Sequence, residues 1–143
     1  WGVERSQLEL DWTQWDTQFP LADQGIIHNW KEGLTYSDPK DWHVIAAARA
    51  AQARFTSQTV RILTRNSKDF NRSELRRFGL DRYEPDLFFC SLWPIAQQDL
   101  CVILEQMPVA VTAPDKEPLS VLELLKRERL FHFGKHYRLA MQN

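Results

Sequence analysis

Cysteine is scarce in this chain. Cys90 and Cys101 are the only two in 143 residues, and they lack a Cys-x-x-Cys spacing, so neither a disulfide framework nor a thiolate zinc site is indicated. Both are expected to be buried thiols in a reducing compartment. An excess of charge of one sign is also lacking. The formal net charge of −1 gives no global attraction to nucleic acid or membrane. There is no internal repeat and no low-complexity tract. No apolar run approaches the length of a membrane span and no signal-peptide pattern opens the chain, so no membrane association and a cytoplasmic location are expected. What remains is ordinary globular composition, 43% hydrophobic and 26% charged. That balance excludes a largely disordered chain and fits one domain with a real core.

The near-zero charge hides an uneven distribution. Between Arg49 and Arg82 nine basic residues face three acids, and the remainder of the chain is correspondingly acidic. Clustered arginines suit phosphate because the guanidinium fork contacts its oxygens in pairs. A solvated helix face is the competing reading.

Leu8, Trp12, Trp15 and Phe19 recur at spacings of four, three and four, the period of an amphipathic helix that Pro20 ends. The stretch from Asp23 to Asp41 reads as a loop or a short strand around Ile26 and Ile27. Asp38 or Asp41 caps the next helix, with Pro39 in its first turn, and VIAAARAAQA carries the small side chains of a closely packed helix. Val60–Leu63 reads as a short, buried parallel strand. SELRRFGL predicts a helix stopped at Gly79 and capped by Ser73. An extended segment then turns into a helix near Pro85 that runs through QDLCVILEQM. VTAPDKEP reads as a linker. The tail is a helix pair hinged near Gly134, packing through Leu122, Leu125, Leu130 and Phe133. Helices alternating with short apolar strands point to an α/β domain with a parallel sheet.

The segments carrying chemistry are DPKDWHVIAAARAA (Asp38–Ala51) and ILTRNSKDF (Ile62–Phe70). A helix opened by acids precedes a strand ending in Thr64, Asn66 and Asp69, so acidic ends of neighbouring elements can meet where open parallel sheets build their sites. The competing reading is that Asp38 and Asp41 only cap a helix while Asn66 and Asp69 form a turn. His132 and His136, four apart, have metal-ligand spacing without a third ligand, and their aromatic neighbours favour packing. His43 lies near the acids.

Five blocks in order, FPLAD (Phe19–Asp23), EGLTYSDPKDWHVIAAA (Glu32–Ala48), LTRNSKDF (Leu63–Phe70), FGLDRYEPDLF (Phe78–Phe88) and LELLKRERLFHFGKHYR (Leu122–Arg138), resemble successive parts of a bacterial PIN-domain family related to VapC-type toxins. The resemblance implies a metal-dependent endoribonuclease, paired with an antitoxin and oligomeric. Its fold would be a PIN-like parallel sheet flanked by helices, with residues 1–112 as the C-terminal portion of the domain and 113–143 as its helical extension. By that likeness Asp41, Asp69 and Asn66 hold Mg²⁺ or Mn²⁺, Thr64 assists catalysis, and Arg65, Lys68 and Arg49 bind RNA.

A PIN domain opens with a strand bearing Asp and a helix bearing Glu, and neither precedes Trp12. The expectation is therefore a fragment or split-protein half, completed by an N-terminal PIN fragment or a second chain. A non-catalytic PIN-like module that binds RNA or protein is the alternative. Trp12, Trp15 and Trp30 lie in segments expected to cover the missing half.

Overall fold

The computed structural model describes residues 5–112 and 115–142. Val3 and Glu4 of the first predicted helix, and Ala113 and Pro114 of the predicted linker, lie outside them. The fold is α/β and mostly helical, with one small two-stranded parallel sheet among the described residues. The chain forms two compact units. The first holds residues 1–60 with Asp69–Asp81, the second Arg61–Lys68 with 82–143.

In the first unit, α1 (Arg5–Gln18) has no buried residue, and Trp12 and Trp15 are 71% and 64% exposed. No strand forms at Ile26 and Ile27. Asp23 accepts the Gly25 N–H at 2.7 Å, Gly25 takes a positive φ, and a 3₁₀ turn follows at His28–Lys31. That Asx turn bends the backbone before a strand can start. The chain then enters α2 (Trp42–Arg54), which buries Ile45, Ala46, Ala48 and Ala50. Leu34, Phe70, Leu75 and Leu80 are the unit's other buried apolar side chains. The small alanines admit close approach, and α2 packs on the 28–31 turn.

Helix α3 (Arg72–Arg77) is capped by Asn71, whose side chain accepts the Glu74 N–H at 2.9 Å, and not by Ser73. It ends as expected at Gly79. The Gly79 and Leu80 N–H groups return to Arg76 and Leu75 at 3.0 and 2.9 Å, a Schellman closure whose left-handed residue is glycine at φ +70°. Glu74, buried on α3, accepts the N–H groups of Thr35, Tyr36 and Ser37 at 2.6, 3.0 and 2.8 Å. A loop with no secondary structure of its own is thereby tied to a helix.

The second unit contains β1 (Arg61–Leu63) and, apart from Asp81, β2 (Asp81–Tyr83). Of β1 only Ile62 is buried, not the whole strand as its apolar character predicts. With two strands, each has one edge unpaired within the sheet. Glu84 and Pro85 open α4 (Pro85–Ala110), two helical stretches meeting at a kink at Ala96, shortly after Pro94. This helix is long and apolar enough to cross a membrane by length and composition, which the broken apolar runs of the sequence did not reveal. In this fold its Trp93 and Leu104 join Leu125, Leu130, Phe133 and Tyr137 in a core. Ile95, Val102, Ile103 and Val109 remain exposed.

The tail forms α5 (Val121–Arg127), opened by a Ser120–Glu123 capping box, and α6 (Phe131–Ala140), both packed on α4. The reversal falls at Glu128–Leu130 and not at Gly134, which lies inside α6 against Leu125. The Arg129 and Leu130 N–H groups close back on Lys126 and Leu125 at 3.0 and 2.8 Å, the same Schellman closure as α3. Its left-handed position, φ 56°, is filled by Arg129. Glycine adopts that conformation without the Cβ clash. Arg129→Gly is therefore expected to stabilise the protein by about 1 kcal/mol, seen as a Tm rise of about 3–5 °C.

Candidate active site

In the first unit, the Asp38 side chain accepts the Lys40 N–H at 2.9 Å and caps the 3₁₀ turn Pro39–Asp41. Asp41 occupies the N-cap position of α2, yet its side chain makes no capping hydrogen bond. Asp38 therefore caps the 3₁₀ turn, while α2 has no side-chain cap. The half-buried Asp41 carboxylate stands at the N-terminal end of α2. Asp69 ends a 3₁₀ turn (Ser67–Asp69), and its carbonyl accepts the Asp38 N–H at 2.8 Å. The Asp41 N–H in turn donates to the Asp38 carbonyl at 2.9 Å. Two consecutive backbone bonds thus hold the Asp41 and Asp69 turns side by side. Ser37 adds a third tie by accepting the Asn71 N–H at 2.9 Å. His43, exposed, turns its Nδ1 to the Lys40 carbonyl at 2.7 Å.

The remaining predicted residues divide differently. Thr64, Arg65, Asn66 and Lys68 belong to the second unit. The Thr64 hydroxyl accepts the Asn66 N–H at 3.0 Å, so it shapes the turn after β1. Lys68 is exposed, and the Arg65 guanidinium donates to the Glu128 carbonyl. Arg49 is a packing residue in the first unit. Its guanidinium donates to the Trp30 and Glu32 carbonyls and lies 3.9 Å from the Phe78 ring centre. Burial lowers its pKa, Glu32 opposing the shift and Arg77 adding to it. Both carbonyl bonds come from Nη1, so that end of the guanidinium is committed to the loop.

Among the described residues no three His, Cys, Asp or Glu side chains come together in a way that could hold a metal ion. Two carboxylates such as those of Asp41 and Asp69 hold Mg²⁺ or Mn²⁺ only weakly by themselves, because Mg²⁺ takes six oxygens in near-octahedral geometry and the rest must come from water or other ligands. Cys90 and Cys101 are free, and burial above all pushes both thiols up, with acidic neighbours adding to it.

A second constellation lies in the second unit. Asp86, 4% exposed at the start of α4, accepts the backbone N–H groups of His132 and Phe133 at 2.9 and 2.8 Å and His132 Nδ1 at 2.7 Å. Helix α6 has no cap of its own at Leu130, so Asp86 caps it from another helix. Burial pushes the Asp86 carboxyl up, but the Phe133, His132 and imidazole donors outweigh it and hold its pKa below the usual value. No local pattern marks this pair, whose members are 46 residues apart.

No family model, curated protein or solved structure matches this chain.

Proposed function

We propose that this chain is the C-terminal part of a PIN-type, metal-dependent endoribonuclease, completed by an N-terminal PIN fragment or second chain. One observation carries the proposal: Asp38 caps the 3₁₀ turn, while Asp41, which makes no side-chain capping bond, is held beside the Asp69 turn by the Asp38–Asp69 backbone bond. This arrangement favours the ligand reading of Asp41 over the capping one. Asp41 and Asp69 would contribute two carboxylates, and the incoming partner an Asp and at least one Glu. By the likeness of LTRNSKDF to the family signature, Asn66 and Thr64 are further expected site residues. A bound Mg²⁺ or Mn²⁺ would supply a nucleophilic water and stabilise charge on the phosphorane-like transition state. The open edge of the small sheet is where an added strand would pair. An antitoxin and self-association are further expected partners, and the setting is cytoplasmic. The test is Mn²⁺-dependent cleavage of single-stranded RNA by the completed assembly, wild type against Asp41→Asn.

The basic segment makes a separate prediction. Charge reversal at Lys68 and Arg65 is expected to weaken RNA binding and flatten its salt dependence by about one unit of log–log slope per lost phosphate contact. Unchanged binding would identify a solvated surface.

A second reading has its own support. Helix α1 exposes Leu8, Trp12 and Trp15 together with the following Phe19, an aromatic surface suited to a protein partner. A non-catalytic PIN-like module would use that surface and show no metal-dependent cleavage in any assembly.

A further inference from the structure

A groove of about 410 Å³ in the second unit is lined by Arg65, Arg129, Phe131, His132, Glu84 and Asp86, with Leu87 completing the wall. Its polar groups are fixed from below. A carboxylate only accepts, so Nδ1 of His132 carries the proton given to Asp86, and Nε2 is left on the outer side of a side chain that is 72% exposed. The Arg65 guanidinium is anchored by one bond to the Glu128 carbonyl, next to the residue that carries the second guanidinium. Arg129 is held in the left-handed conformation by the Schellman closure of α5. The Asp86 charge is taken up by the start of α6 and the imidazole. Glu84, the other acid, turns its carboxylate to the Leu87 N–H at 3.3 Å. Two arginines and an oriented imidazole therefore face the groove beside the ring of Phe131, which is 57% exposed.

We infer that this groove is a nucleotide-phosphate subsite, in which Arg65 and Arg129 hold the phosphate, Phe131 stacks the base and His132 Nε2, the acceptor opposite the Nδ1–H, takes a ribose hydroxyl. Paired guanidinium donors match phosphate oxygens, and an exposed aromatic ring gives a sequence-tolerant platform for a base. The choice of an RNA strand as the source rests on the preceding proposal. The phosphate site itself rests on the groove.

The test is a fluorescence-anisotropy titration of the full chain with a fluorescein-labelled single-stranded hexaribonucleotide in EDTA. Arg129→Gly suits the backbone and removes the guanidinium together with its aliphatic stem. His132→Asn keeps an N–H near Asp86 and removes Nε2. Arg129→Gly is expected to weaken binding about ten-fold, the loss of one charge-assisted hydrogen bond, and His132→Asn about five-fold, the loss of a neutral one. Arg138→Ala, on α6 but outside the groove, is expected to change affinity less than about two-fold, as for an unspecific surface charge. Equal losses in Arg129→Gly and Arg138→Ala, or no loss in Arg129→Gly and His132→Asn, would overturn the assignment. Displacement of the probe by AMP would place the phosphate on a free nucleotide, and displacement by unlabelled strand alone would place it on RNA. No displacement by either would overturn it. Binding needs neither metal nor cleavage, so a chain that binds as expected but never cleaves in any assembly would sink the nuclease proposal and leave this one.

Discussion

Asp41→Asn is expected to abolish Mn²⁺-dependent RNA cleavage by the completed assembly, at least about a thousand-fold, while moving Tm by no more than about 2 °C. The two halves of that expectation have separate causes. An amide is neutral and a far weaker ligand for a hard cation than a carboxylate, so in the proposed completed site the loss of one charge would empty or displace the Mg²⁺ or Mn²⁺. The stability is spared because Asp41 makes no side-chain capping bond. Asp38→Ala is the contrasting variant. It loses the bond to the Lys40 N–H and is expected to cost about 1 kcal/mol, as a lost cap does. If Asp41→Asn lowers Tm as much as Asp38→Ala and leaves cleavage intact, Asp41 is a structural residue and the nuclease reading falls.

The second large effect is on stability. Glu74→Ala is expected to destabilise the protein by about 3–5 kcal/mol, since it strands three backbone N–H donors that the carboxylate now satisfies in a buried setting. Urea titration would report this as a lower midpoint with little change in slope. Glu74→Gln retains one acceptor oxygen but turns an amide N–H₂ toward an existing donor, and an intermediate loss is expected. The pH dependence gives an independent reading. Burial pushes the Glu74 carboxyl up, but the Ser37 hydroxyl and the Tyr36, Thr35 and Ser37 N–H groups outweigh it, and its pKa in the fold is lowered. The lowered value means that the unfolded chain takes up the proton first. The stabilisation is therefore fully present above the usual glutamate range near about pH 4.3, and is lost as pH falls through the lowered folded value. Glu74→Gln should flatten that acid limb while retaining the part owed to Asp86, whose pKa is lowered in the same direction. An acid limb unchanged by Glu74→Gln would assign the acid sensitivity elsewhere.

Local patterns were legible where local physics decides. The 3.6-residue spacing of Leu8, Trp12 and Trp15 marked α1, the alanine run marked α2, Gly79 marked the end of α3, and Pro85 the start of α4. Each of those signals acts within a turn or two of the chain. The same locality explains what failed. Ile26 and Ile27 left loop and strand both open, and the Asp23–Gly25 turn decides for the loop. Gly134 looks like a hinge, but a glycine packed against Leu125 serves close approach, and the real reversal uses Arg129 in a conformation the sequence does not advertise.

The candidate site shows the same division. The sequence by itself determined which acids stand at the ends of which elements, because Asp38, Asp41, Thr64, Asn66 and Asp69 all flank segments whose helical or extended character is set locally. It could not decide which of Asp38 and Asp41 caps, nor that Arg49 commits Nη1 to the Trp30 and Glu32 carbonyls. Those choices depend on where carbonyls and N–H groups from distant segments arrive. The buried carboxylates make the point most clearly. Glu74 reaches a loop 37 to 39 residues earlier, and Asp86 reaches a helix 46 to 47 residues later. Nothing in the residues around either acid marks it as buried, since a carboxylate is stable away from water only where tertiary packing delivers several donors to it at once.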